Sequence, residues 1–147
     1  MSDYYVSFIP VNPNYVPVLH VANQIENLII NHAQGILEIN NIVLLAHAGE
    51  NLESISCHLC KADLKEWWGD AMDSAYSKEN GFVELIIQTP CCHQTCSLND
   101  LDYYFPQGFY KTKLTFEPNQ RQLDTKLICQ RLMELSALQW RVIHTRI

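Results

Sequence analysis

The chain has 147 residues, of which 48% are hydrophobic and 18% charged, with ten Lys and Arg against sixteen Asp and Glu for a formal charge of −6. That length suits one domain with a sizeable core, and the composition excludes wholesale disorder. The longest aliphatic run, residues 42–46, is far short of the ~20 residues a membrane span requires, and a pI near 5.4 has the wrong sign for a protein that neutralises nucleic-acid phosphates.

The opening Met1-Ser2-Asp3-Tyr4-Tyr5-Val6 has neither the basic nor the apolar segment of a secretory leader, so the expected location is cytoplasmic. Residues 4–9 are rich in β-formers and halted by Pro10, which predicts a strand. A turn-rich stretch with Pro13 and Asn14 follows. Pro17 then opens a helix carrying Val18, Val21, Ala22, Ile25, Leu28 and Ile29 at helical spacing as far as Asn31, with Gly35 as its stop. Residues 36–46 predict one strand, or two short ones around Asn40-Asn41. After a turn at Gly49-Glu50-Asn51, residues 52–56 lead into Cys57.

Residues 63–76 predict a helix whose inner face is Leu64, Trp67, Trp68, Ala71, Met72, Ala75 and Tyr76, with Asp63 as N-cap and Asn80-Gly81 as terminator. Residues 82–87 read as a strand stopped by Pro90, and 108–116 as an alternating strand with at least one wet face. Residues 124–137 predict a helix with Leu127, Ile128, Leu132 and Leu135 inward, and 138–143 a closing strand. The order β-α-β-β-α-β-β-α-β joins several strands directly. It predicts one α+β domain over residues 1–147: a mixed sheet with about three helices mainly on one face.

Six cysteines stand at 57, 60, 91, 92, 96 and 129. Five fall in two clusters, Cys57-His58-Leu59-Cys60 and Pro90-Cys91-Cys92-His93-Gln94-Thr95-Cys96. Without a secretory leader, such clusters point to metal rather than disulfides. A tight turn lets two sulfurs three residues apart reach one ion at about 2.3 Å each, and zinc suits these ligand types. The second cluster must then supply the remaining corners, so the ion would clamp the α-β unit between the clusters. Cys92 with Cys96, or His93 with Cys96, converges if that segment turns helically. Neighbouring Cys91 and Cys92 share an ion only where the backbone bends. Cys129, inside an amphipathic helix, reads as a small core residue.

Cys57-x-x-Cys60, Trp67-Trp68, Thr89-Pro90-Cys91-Cys92, Ser97-Leu98-Asn99-Asp100-Leu101-x-Tyr103 and Pro106-x-Gly108-Phe109, with the opening Ser7-Phe8-Ile9-Pro10 and Pro13, resemble a family of uncharacterised bacterial proteins. Those proteins carry a CPxCG knuckle, a PCCG segment and a TSLNDLxYxWPxGF segment, and the resemblance covers most of the chain. It implies that Cys57, Cys60, Cys91 and Cys92 are the four ligands; the added Cys96, outside that pattern, is the first reserve. The chain departs from the pattern at His58-Leu59 and by adding His93 and Cys96. The resemblance brings no activity with it. Four thiolates close the coordination sphere, so the metal is expected to be structural zinc. An enzyme would need a three-ligand site, with Glu66 or Asp100 as general base.

Three other features stand out. Ser97-Leu98-Asn99-Asp100 is either a polar functional loop or a support for the sulfurs and backbone. Glu66, Asp70 and Asp73 form an acidic helical stripe suited to a basic partner, with Tyr103-Tyr104-Phe105 as candidate anchors. His20, His32, His47 and His144 are scattered singletons, and no nucleophile elbow, phosphate loop or HExxH occurs. The expectation is a non-enzymatic, zinc-stabilised protein-binding module with no membrane role, in concrete form an acidic immunity or inhibitor protein for a basic toxin. The alternatives are a zinc-ribbon nucleic-acid binder using Lys111, Lys113, Arg121, Lys126 and Arg131, and a metal-dependent hydrolase.

Overall fold

A computed structural model describes residues 3–32, 35–116 and 123–147; Arg121 and the side chain of His32 lie outside the described set. The β-forming run at the N-terminus becomes β1 (Tyr4–Pro10), paired on one side with β10 (Trp140–Arg146) and on the other with β9 (Gly108–Phe116). β9 continues to β2 (Gly35–Ala46), then come β5 (Gly81–Phe82) and β4 (Tyr76–Ser77), giving a six-stranded sheet ordered β10-β1-β9-β2-β5-β4. The β2–β5 pairing is parallel and the other pairings are antiparallel, so the sheet is mixed and the domain α+β.

Alternation along β1 sends Val6 and Phe8 to one face, where the register sets them beside Phe116 and Leu114. Helix α1 (Leu19–His32) lays Ile25, Leu28 and Ile29 on that face, and α3 (Thr125–Ser136) adds Ile128 and Leu132, all buried. Each such side chain contributes about 1.5–3 kcal/mol on leaving water. Leu127, expected inward, is 37% exposed, because Ile128 and Leu132 already fill the stripe facing the sheet. Asp124 caps α3 by accepting from the Leu127 N–H. The opposite face is wetter: Ser7 and Thr115 hydrogen-bond there at 3.1 Å, and Lys113 lies 3.9 Å from Glu38.

β2 is one strand, with a register shift between Ile39 and Leu44 where Asn40-Asn41 suggested a break. Gly35 begins β2, where a Cβ would lie 2.9 Å from the Thr115 carbonyl. Close packing, more than helix termination, therefore selects glycine there.

The second half of the domain is a layer of short pieces over Phe109 and Val43. β3 (Ser54–Ser56) pairs with β8 (Asp102–Tyr104), and β6 (Ile86–Gln88) pairs with β7 (Thr95–Ser97). α2 (Lys65–Ala75) packs Met72 into the same cluster as Ile55, Leu64, Phe82, Leu98 and Phe109. Its N-cap position is Leu64, yet the Asp63 carboxylate still accepts the Lys65 N–H at 2.9 Å. The strand expected over 82–87 is broken. Phe82 turns into the core against Phe109, and Glu84 Oε1 captures the Ile86 N–H before β6 starts. Gly81 adopts φ +67 beside the Val43 carbonyl, which any side chain would strike.

The outer edge of β10 is partly covered. The Arg146 N–H donates to Ala48 O, the Glu50 N–H donates to Arg146 O, and Asn51 Nδ2 donates to His144 O. Such cover blunts edge-to-edge association. No described helix is long and apolar enough to cross a membrane.

Candidate metal centre

The two cysteine-bearing turns share one hydrogen-bond pattern. In residues 57–62 the Cys57 N–H donates to Ala62 O and the Lys61 N–H donates to Cys57 O, both at 2.9 Å. In residues 89–94 the Thr89 N–H donates to Gln94 O and the His93 N–H donates to Thr89 O, both at 3.0 Å. The fifth residue of each turn is left-handed: Lys61 at φ 65 and His93 at φ 58. Cys57 thus corresponds to Thr89, and Cys60 to Cys92.

This correspondence explains how adjacent cysteines come to one point. The second turn bends rather than extends, so Cys91 and Cys92 do not diverge as they would in a strand. Their sulfurs are 3.9 Å apart, and Cys57 Sγ lies 3.9 Å from Cys92 Sγ. All four sulfurs of Cys57, Cys60, Cys91 and Cys92 fall within 4.8 Å of one another. A tetrahedral ion with 2.3 Å bonds to sulfur needs sulfur–sulfur edges of about 3.8 Å. The donor set and its spacing fit such an ion. Thr89 takes the place a fourth knuckle cysteine would hold, and its hydroxyl lies 3.4 Å from Cys92 Sγ.

The electrostatics are asymmetric. Cys57 is fully buried and accepts hydrogen bonds from the Cys60 amide and then the Leu59 amide; these outweigh burial and lower its thiol to about 6. At Cys60 the Ala62 amide also favours the thiolate. The Cys91 thiol, desolvation and the other two sulfurs oppose it and push Cys60 up to about 11. Cys57 and Cys60 therefore do not both carry a thiolate in the neutral range unless a cation lies beside them. Cys60 and Cys91 are exposed and Cys92 half-buried, so the cluster sits at the surface.

Among the described residues this group contains only the four cysteines; Glu66 and Asp100 are not part of it, nor are His93 and Cys96. Cys96 faces Ile87 across the β6–β7 ladder and packs against the second core cluster, where burial raises its thiol. Cys129 packs against the first cluster, 4.0 Å from the Trp140 carbonyl.

Asn99 supports backbone, not sulfur. It sits in a short 3-10 turn, Leu98–Asp100, and is 4% exposed. Its Oδ1 accepts from the Phe109 N–H and Arg141 Nη1, and its Nδ2 donates to Val11 O. Tyr103 is claimed by the core: it donates to Leu98 O at 2.6 Å and accepts from Trp68 Nε1 at 3.0 Å. Tyr104 is 60% exposed. Glu66, Asp70 and Asp73 are exposed on α2. The equivalence of Thr89 and Cys57 escaped the sequence reading; the shared spacing of Cys57–Cys60 and Thr89–Cys92 was its only trace.

Comparison with protein-family models, with curated proteins and with solved structures finds no match.

Proposed function

We propose that Cys57, Cys60, Cys91 and Cys92 hold one zinc ion as a closed structural centre in a cytoplasmic, non-enzymatic protein-binding module. The observation that carries this reading is the group of four sulfurs within 4.8 Å of one another, supplied by two turns of the same construction. Zinc bound by four thiolates keeps no position for water or substrate, so its contribution is folding energy. The resemblance to the CPxCG…PCCG family is part of the same proposal.

The ion's place supports a scaffold role. α2 starts at Lys65, just after the first turn, and β6 ends at Gln88, just before the second. The centre therefore ties the acidic helix α2 to the β6–β7 hairpin. The formal charge of −6 favours a basic partner. The concrete form of this reading is an immunity or inhibitor protein that occupies a basic toxin.

The nucleic-acid alternative is less well supported. Of its five cations, Lys113 lies near Glu38, Arg131 pairs with Glu134, and Arg121 is outside the described residues. Titration of the zinc-loaded protein against duplex DNA and RNA separates the two. Retention that falls steeply with salt would support the nucleic-acid alternative. Affinity capture from the native host that returned no protein partner would count against the protein-binding reading.

A further inference from the structure

We propose that the groove between α2 and β6 is the docking site for a basic, amphipathic segment of the partner, an inference that rests on the protein-binding reading above. The groove is shallow and open to solvent, with a volume of about 350 Å³. Its apolar lining comes from Trp67 and Ala71 on α2 and from Ile86 and Ile87 on β6, with Ser74 and Gln88 among its polar lining, and Ile86 is 56% exposed. Its lining also carries two exposed carboxylates, Asp70 from α2 and Glu84 from the segment that leads into β6.

Three features select the occupant. Neither Asp70 nor Glu84 forms an ion pair among the described residues, and no described Lys or Arg lines the groove. Glu84 is held in place, because its Oε1 accepts the Ile86 N–H at 2.9 Å. The exposed carboxylates of Glu66 and Asp73 extend the same charge along α2. A cationic group meets an ion-unpaired carboxylate at Asp70 or at Glu84, of which Glu84 is also held by its hydrogen bond, while a large apolar side chain between them covers Ile86 and Trp67. A purely basic strand would leave the apolar lining wet, and a purely apolar one would leave both carboxylates without a cation. The segment that fits places Lys or Arg on both sides of a Leu- or Ile-sized anchor.

The test uses the zinc-loaded full chain, isotope-labelled for amide NMR, and two synthetic peptides of equal positive charge. In one, Lys and Arg alternate with Leu; in the other, Ser replaces each Leu. The Leu peptide is expected to shift amides of α2 and β6 and to bind at least about tenfold more tightly than the Ser peptide. Asp70→Asn combined with Glu84→Gln should weaken it by about tenfold or more. Ala71→Arg should abolish binding, and Glu26→Gln on α1 should leave it unchanged. Equal binding of the two peptides, or no binding of either, overturns the groove. Shifts centred elsewhere on the surface also overturn it, yet leave the protein-binding reading standing. That reading fails separately, on the host capture experiment.

Discussion

The sulfurs of Cys57 and Cys92 lie 3.9 Å apart although the two residues are separated by 35 positions. A clip across a loop of that length removes chain entropy worth about 4 kcal/mol from the unfolded state, on the scale established for cross-links. The metal's effect on stability should therefore be large and local to the loop it closes.

Removal of a ligand should cost far more than removal of a packing cysteine. Cys57→Ser or Cys92→Ser is expected to lower apparent stability by several kcal/mol in the presence of zinc. Cys129→Ser is expected to cost only about 1 kcal/mol. Denaturant titration of the three variants checks this, and equal tolerance of all three would contradict it.

The left-handed residue of the second turn gives a separate test of who binds the metal. His93 at φ 58 carries a conformation that suits glycine. His93→Gly should retain both metal and stability, whereas His93→Val should lose about 1–2 kcal/mol from backbone strain. Loss of metal in the glycine variant would identify the imidazole as a ligand.

Metal affinity should depend on pH with a definite sign. Before binding, Cys57 is a thiolate above about 6, but Cys60 keeps its proton to about 11. Protons therefore compete with the metal at Cys60 throughout the neutral range. Affinity falls as pH falls, by about tenfold or more per unit, and more steeply once pH drops below about 6 and Cys57 also protonates. Competition with a chromophoric chelator across that range measures the slope. A flat profile would contradict the assignment.

Asn99 should prove a structural rivet. Asn99→Ala leaves the Phe109 N–H, the Val11 carbonyl and one Arg141 contact without a partner. The expected cost is about 3 kcal/mol, with metal stoichiometry unchanged. A variant of native stability would show that water replaces the amide at no loss.

The long elements were legible in the sequence because period and punctuation agreed there. α1 and α3 follow the spacing of Ile25 with Leu28 and of Ile128 with Leu132, and β9 follows its alternation. The three-residue strands β3, β7 and β8 were not, since so few residues carry no readable period, and β6 was read only as the end of a longer strand over 82–87. The break after Phe82 arises from a side-chain bond by Glu84 and an aromatic contact with Phe109, neither of which a local pattern encodes. At the metal centre, cysteine spacing indicated two turns. The convergence of Cys91 with Cys92 depended on a helical bend at Pro90 that the alternating-strand rule argues against.

Hydrogen exchange and metal analysis on one purified sample test the central claim most directly. The expected result is one zinc per folded chain, and chelation that speeds exchange in α2 and the β6–β7 hairpin while β1, β9 and β10 stay protected. A folded chain that holds no transition metal, with protection in α2 unchanged by chelator, would contradict the account.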